Sequence, residues 1–198
     1  MCVVLMLHDL DATVAALVES ELAVKNVTIS FAAPDERFPP AGVSLPAIGF
    51  FLYDVRENHD LRTNQWELEQ KDGLFTRKRP PVRVDCSYMI TAWPSESTPN
   101  PAQDEHRLLG GVMKVLLSHR RIPDQYLRGE FKGQTPPLRT QIIAEQQLKS
   151  VGEFWQAMGG KPKAALNYMV TISVDVFGAE EVGPVVKDKV IRVKQKVG

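Results

Sequence analysis

The sequence predicts an α/β (α+β) fold, in which a single mixed, largely antiparallel β-sheet packs with helices and carries a projecting β-hairpin and an extended C-terminal arm. Side chains alternate between apolar and polar in residues 79–93 and again in 166–176, a period of two that is typical of strands with one buried face. Residues 48–55 are apolar on both faces, which predicts a central strand covered on both sides. These three segments predict the sheet.

The alternation assigns a face to each side chain of the two longer strands. The inward set is Val82, Val84, Cys86, Tyr88, Ile90 and Ala92 in the first strand, with Leu166, Tyr168, Val170, Ile172, Val174 and Val176 in the second. The outward set is Arg83, Asp85, Ser87 and Thr91, with Asn167, Thr171, Ser173 and Asp175. Residues 27–31 and 138–144 are candidates for shorter strands, the second of them at an edge.

The composition is that of a globular chain without a global charge. Among 198 residues, 24 Lys+Arg balance 24 Asp+Glu, so charge-driven binding depends on local clusters. The two cysteines, Cys2 and Cys86, exclude a disulfide framework and favour a reducing compartment. The start MCVVLML lacks the features of a secretory signal, and no apolar run reaches the length of a membrane span. We therefore expect a cytoplasmic protein with no membrane partner.

A first helix is predicted near the N-terminus. Asp9 or Asp11 is expected to cap it and Asn26 to end it. Its apolar face is formed by Leu10, Val14, Leu17, Val18 and Leu22.

Two further helices are predicted from capping boxes. Asn100, with proline next and glutamine three residues later, opens a helix that Pro123 prevents from continuing. Its apolar stripe is Leu108, Val112, Val115 and Leu116. Glycines 110 and 111 each cost about 1 kcal/mol relative to alanine in a helix, so another element is expected to approach closely there. Ser150 with Glu153 opens a short third helix that ends at glycines 159 and 160.

The charged stretch 56–78 predicts a hairpin. Alternating residues flank an Asp-Gly pair at 72–73, which is a strong hairpin signal. Its polar flanks leave two interpretations open, a solvated β-arm or a contact between subunits. Trp66 and Phe75 would otherwise face water, so we expect the double substitution Trp66→Ser, Phe75→Ser to prevent subunit contact while leaving the monomer folded.

No catalytic or metal-binding motif occurs in the sequence. Residues 104–106 (Asp-Glu-His) point about 100° apart on a helix and do not converge on one ion. Cys86 has no basic neighbour on its face of the strand, which predicts an inert thiol. Glycine-rich phosphate loops are absent. The sequence thus predicts no catalytic residue, no metal, no cofactor and no enzymatic activity.

One basic cluster, residues 77–79 with Arg83, lies in the body of the chain. Phe75 is the one neighbouring aromatic residue on which a nucleic-acid base could stack, so nucleic acid is not an expected partner. An adaptor that binds nucleic acid or another polyanion through this basic hairpin is the alternative function.

Five segments, in this order and spacing, carry a resemblance to a known family. They are HDLDAT (8–13), LPAIGFFLYDVREN (45–58), RPPVRVDCSYMITAW (79–93), DEHRLLG (104–110) and GEFWQAMGGKPKAALNYMVTISV (152–174). The segments resemble the cap, or tail-terminator, family of phage-tail-like contractile injection systems, over residues 7–176. The family begins near the equivalent of Leu7, which makes Met6 a candidate first residue, and its longer members carry a further C-terminal region.

The resemblance implies a structural protein without catalysis or cofactor. Family members form a homohexameric ring at the distal end of the particle, stop growth of the inner tube and anchor the last sheath layer. The expected partners are therefore copies of this chain, the inner tube protein and the sheath protein, within a phage-tail-like particle assembled in the cytoplasm. The candidates for the subunit interface are Trp66, Phe75, Arg77, Arg79 and Arg83.

The chain is expected to divide into a cap domain, residues 1–178, and a basic, strand-forming arm, residues 179–198. Because an isolated strand is unstable in water, the arm either adds to a sheet of the terminal sheath layer or folds back on its own domain as an edge strand. Truncation after Gly178 is expected to separate the two, with loss of the sheath but not of the tube in the first case. The candidates for sheath binding are Lys187, Lys189, Val190, Ile191, Arg192, Val193 and Lys194.

Overall fold

Eight strands and three helices are present in the computed structural model, which describes residues 6–71, 74–142, 151–178 and 180–184. The strands are β1 (Thr28–Ser30), β2 (Ala47–Glu57), β3 (Glu67–Lys71), β4 (Leu74–Lys78), β5 (Val82–Trp93), β6 (Arg139–Ile142), β7 (Ala165–Val174) and β8 (Glu180–Pro184). The helices are α1 (Met6–Glu21), α2 (Pro101–Ser118) and α3 (Val151–Ala157). Single 3₁₀ turns cover His59–Leu61, Asp124–Tyr126 and Gly129–Phe131.

The main sheet has the order β1-β2-β5-β7-β6. Only β1 and β2 are parallel, and the other three neighbouring pairs are antiparallel. The prediction of a mixed, largely antiparallel sheet is therefore confirmed, as are the inner position of β2 and the edge position of β6.

The core lies between one face of this sheet and helices α1 and α2. The predicted inward residues Cys86, Tyr88, Ile90 and Ala92 of β5 are fully buried. The predicted stripes of α1 and α2 pack on the same core: Leu10, Val14, Leu17 and Val18, with Leu108, Val112, Val115 and Leu116. An alternating strand and a helical stripe each present one apolar side, and joining those sides removes both from water.

The second face of the sheet is also covered. The sequence predicted this for the strand now seen as β2, but not for the polar faces of β5 and β7. Ser87 and Thr91 of β5 are buried, and so are Thr171 and Ser173 of β7. Two aromatic contacts explain the cover. Phe154 of α3 lies 6.2 Å from Phe51, and Phe38 of the proline-rich loop stacks on Trp93 at 4.3 Å. Two of these hydroxyls have hydrogen-bond partners, since Thr171 donates to Asp85 at 2.7 Å and Thr91 accepts from the indole of Trp93 at 3.0 Å, whereas the Ser173 hydroxyl has none among the described residues.

Cover is incomplete at one end of the sheet, where two predictions were wrong. Strand β7 ends at Val174, so Val176 is exposed instead of inward. Strand β2 is fully buried only in its first four residues, and Val55 near its far end is exposed.

The predicted caps of α1 were also wrong. The described part of the helix already includes Met6, so Asp9 and Asp11 lie inside it, and it ends at Glu21, before Asn26. Both carboxylates instead accept hydrogen bonds from outside the helix. Asp9 accepts from the amide of Glu130 at 3.1 Å, and Asp11 accepts from the hydroxyl of Tyr88 at 2.8 Å.

The ends of α2 and α3 follow the predictions in part. Helix α2 starts with proline after Asn100, but the Asn100 side chain makes no capping hydrogen bond, and the helix stops at Ser118, before Pro123 is reached. Ser150 lies outside the described residues. Gly159 follows α3 with φ +68°, the left-handed conformation that favours glycine after a helix.

Candidate assembly surface

A second, smaller sheet contains two of the predicted interface residues, Phe75 and Arg77, and Trp66 and Arg79 directly flank its strands. Strands β3 and β4 pair antiparallel from Glu67–Lys78 to Lys71–Leu74, which confirms the hairpin, although its Asp-Gly turn lies outside the described residues. Strand β8 adds to the other side of β4, also antiparallel. The first residues of the predicted arm, 180–184, therefore complete the hairpin sheet of their own chain.

Two arginines stack on Trp66. The guanidinium carbon of Arg77 lies 4.5 Å from the centre of the Trp66 ring, and that of Arg79 lies 5.0 Å from it. Arg79 also lies 5.2 Å from the ring of Phe177. Trp66 and Phe177 are each 37% exposed, so their rings are shared between these cations and solvent. We call Trp66, Arg77, Arg79 and Phe177 the hairpin surface.

The aromatic partners of the basic cluster were not predicted. Phe75 alone was considered for that role, whereas Trp66 and Phe177 are the rings that the arginines contact. The register explains Trp66, because pairing of Glu67 with Lys78 puts residue 66 opposite residue 79. The proximity of residues 66 and 79 could have been inferred from the predicted hairpin. The contact of Phe177 depends on the turn of the chain after β7, which no local pattern indicated.

The basic cluster is partly neutralised by carboxylates. Arg77 binds Glu180 of β8 through Nη2 at 2.7 Å and Nε at 2.9 Å, and Lys78 pairs with Asp175. The side chains of the Arg77 pair are 46% and 52% exposed, and such surface pairs contribute at most about 1 kcal/mol. Their main effect is that Arg77 and Lys78 are neutralised and contribute little to a positively charged surface.

A cleft of about 450 Å³ separates the hairpin surface from the end of the main sheet. It is lined by Glu57, Arg62, Thr63, Asn64, Trp66, Arg79, Pro80, Pro81, Val82, Arg83 and Phe177. Trp66, Arg79 and Arg83 thus share one cleft, and Arg77 joins them through its stacking on Trp66. Phe75 is partly buried further along β4 and does not line the cleft.

The seven candidates for sheath binding, Lys187 to Lys194, lie outside the described residues and remain predictions.

The thiol of Cys86 is fully buried in the core. Burial, followed by the nearby carboxylates of Asp85, Asp11 and Asp54, raises the pKa of Cys86 to about 12. A thiol that stays protonated at neutral pH is a poor nucleophile. Within the described ranges, no cluster of His, Cys, Asp or Glu has an arrangement that could hold a metal ion, and no helix there has the length and apolarity to cross a membrane.

Comparison with protein-family models assigns most of this chain to one family. The sequence model of the Pvc16 N-terminal domain family matches residues 9–188. A search of the curated proteins gives no match.

Two solved structures, both determined by cryo-EM, have a similar fold. The PVC sheath/tube terminator of an extracellular contractile injection system, in its extended state, aligns with 96% of this chain at a TM-score of 0.70 and 24% identity. The tube-terminating cap of the anti-feeding prophage aligns with 98% of this chain at a TM-score of 0.60 and 25% identity. This chain covers 64% of the first protein and 62% of the second, less than two thirds of either.

Proposed function

Since the chain belongs to the Pvc16 N-terminal domain family, we propose that it is a structural cap of a contractile injection system, which ends the inner tube and anchors the last sheath layer. The observation that carries this proposal is the likeness, along nearly the whole chain, to a sheath/tube terminator and a tube-terminating cap. The buried thiol and the mutually paired charges of the hairpin sheet are compatible with a structural role.

The cap is proposed to act as a ring of identical subunits, six by family resemblance, with the hairpin surface in the subunit contact. Aromatic rings and arginines are among the residue types enriched at protein interfaces, and here both kinds are exposed to solvent beside one cleft. A neighbouring subunit would cover Trp66 and Phe177 and leave the arginines between two chains.

Light scattering after size exclusion tests this contact. The double substitution Trp66→Ser, Phe177→Ser is expected to leave a folded monomer and abolish the ring. The double substitution Trp66→Ser, Phe75→Ser tests the same contact with an aromatic residue that does not line the cleft. We expect Phe75→Ser to weaken assembly less than Phe177→Ser does when each is added to Trp66→Ser. Leu117→Ser is the control, because Leu117 is also an exposed large apolar residue, 50% accessible, but lies on α2. Rings that persist in the first variant would remove the hairpin surface from the interface.

Sheath anchoring is proposed for the arm beyond β8. Truncation after Gly178 would remove β8 together with Glu180, the carboxylate partner of Arg77, and would therefore disturb the hairpin sheet. Truncation after Pro184 keeps both. The variant that ends at Pro184 is expected to fold and to co-purify with the tube but not with the sheath, and full retention of sheath binding would contradict the anchor.

The alternative adaptor for polyanions is disfavoured by the pairing of Arg77 and Lys78 with carboxylates. A duplex demands many free cations, and its binding weakens steeply with salt. Salt-sensitive binding of DNA by a protein that stays monomeric would favour the adaptor over the cap.

A further inference from the structure

Arg83 is a buried cation without an ion-pair partner in the described part of the chain. It lies on β5, is only 9% exposed, and its Nε has no hydrogen-bond partner there. An unpaired charge loses its hydration on burial and gains nothing in return, so such residues usually have a partner.

The surrounding charges do not compensate Arg83. Burial lowers the pKa of its guanidinium, and the positive charge of Arg139 lowers it further, against a smaller opposing effect of Asp85. The oxygens of Asp85 are already engaged, one by Thr171 at 2.7 Å and the other by Asn58 at 2.8 Å. The positive charge of Arg83 is therefore left for a group outside these residues.

Arg83 and Arg139 line the same cleft, which has a volume of about 260 Å³. The two arginines come from β5 and β6, on either side of β7, and the remaining lining is Leu61, Thr63, Glu67, Pro80, Pro81 and Pro136. This cleft shares Thr63, Pro80, Pro81 and Arg83 with the larger cleft beside the hairpin surface. The space accommodates one side chain, and two guanidinium groups favour one with a negative charge.

We propose that this cleft binds a carboxylate side chain from a second copy of this chain, held by the guanidinium of Arg83 with Arg139 as the second cation. Arginine suits a carboxylate because its planar fork donates two parallel hydrogen bonds. A polyanion fits poorly, since Glu67 lines this cleft and Glu57 lines its neighbour. The second copy is favoured because the cleft is continuous with the hairpin surface, and this choice of source alone rests on the proposed function.

Sodium acetate, compared with sodium chloride at equal ionic strength, probes the site in protein diluted until light scattering gives the monomer mass. Acetate at about five times its Kd is expected to raise Tm by about 2–4 °C more than chloride does. In Arg83→Met that extra rise disappears. Arg107→Met, whose arginine is exposed and pairs with Asp104 on α2, keeps it. Equal responses to acetate in the wild type and in Arg83→Met would overturn the site.

Two further readouts separate a binding role from a structural one. Without acetate, Arg83→Met is expected to have a Tm equal to or above that of the wild type, because it lacks the unpaired charge. A clear fall in Tm would assign Arg83 to the fold and overturn the proposal. At ring-forming concentration, Arg83→Met is expected to stay monomeric, and an intact ring would overturn the second copy as the source. If Trp66→Ser, Phe177→Ser still forms rings while the acetate response persists, only the proposed hairpin contact fails.

Discussion

Tyr88 of β5 donates a hydrogen bond across 2.8 Å to the carboxylate of Asp11 on α1. Tyr88 is fully buried, so this bond joins the first helix to the central strands inside the core. Burial and the neighbouring carboxylate both raise the pKa of Tyr88, so its hydroxyl is protonated and can donate at neutral pH.

Tyr88→Phe is expected to lower the free energy of unfolding by about 1–3 kcal/mol, because a partly buried carboxylate loses its donor. Urea unfolding at neutral pH measures the change. Tyr53→Phe is the control, since the Tyr53 hydroxyl donates to Asn167 at the same distance but in a less buried place, and a smaller loss is expected. Equal losses in the two variants would contradict a special role for the Asp11 contact.

Asp11 is also expected to make stability depend on pH. Burial, its largest influence, raises the pKa of Asp11 above 3.8, so the folded chain holds this proton to higher pH than the unfolded chain does. The contribution of Asp11 to the free energy of unfolding therefore falls as pH rises through that interval and is constant above it. The variant Asp11→Asn lacks this pH-dependent contribution to the free energy of unfolding. The stability of the variant minus that of the wild type should grow from acidic to neutral pH, and a difference that shrinks would contradict the raised pKa.

The adjacent glycines of α2 are expected to respond differently to alanine. A Cβ at Gly110 would meet nothing within 4 Å, whereas a Cβ at Gly111 would lie 3.2 Å from Cδ1 of Leu22. Gly110→Ala should raise the free energy of unfolding by about 0.5–1 kcal/mol, the usual gain within a helix. Gly111→Ala should give a smaller gain or a loss, because the buried Leu22 must move. Thermal unfolding of the two variants compares them directly, and identical shifts would show that the contact with Leu22 has no effect.

The ion pair between Lys163 and Glu105 is better shielded than the pairs of the hairpin sheet. The two side chains are 17% and 15% exposed, and the Lys163 ammonium also lies 4.5 Å from the ring of Trp93. Lys163→Met is expected to cost about 1–3 kcal/mol by leaving Glu105 without its cation. Adding Glu105→Gln should recover part of this loss, and a double-mutant cycle in urea measures the coupling. Additive losses would show that the pair contributes nothing beyond its separate contacts.

Cys86 is expected to resist thiol reagents in the folded protein. Its pKa of about 12 and its complete burial leave almost no accessible thiolate at pH 8. In a Cys2→Ser variant, labelling by a chromogenic disulfide should be slow and should become rapid in urea. Rapid labelling without denaturant would mean that the central strand opens readily.

The sequence was sufficient to predict the parts of the fold that repeat over several residues. The alternation around Tyr88, the stripe around Val112 and the register of the hairpin each combine several residues into one pattern, so a single exception does not obscure them. Ser87 and Thr91 were assigned to the outward face because a polar strand face has the same sequence pattern whether water or a short helix covers it. The cover comes from Phe154 and Phe38, which are distant in sequence from β5.

The candidate surface was predictable only where local pairing determines it. Trp66 and Arg77 were identified because both lie in the charged hairpin segment, one as a large apolar group and the other in the basic cluster. Glu180 is 103 residues from Arg77, and no periodic signal joins them. Arg139 was not singled out at all, because β7 must be placed between β5 and β6 before it and Arg83 can line one cleft.

Within the described residues, the two edges of the main sheet are very short, three residues in β1 and four in β6. An edge of that length offers few free amides and carbonyls, so it is a poor template for adding another chain by strand pairing. If the protein ends a growing polymer as proposed, this matters, because a terminator with a long open edge would itself seed further growth.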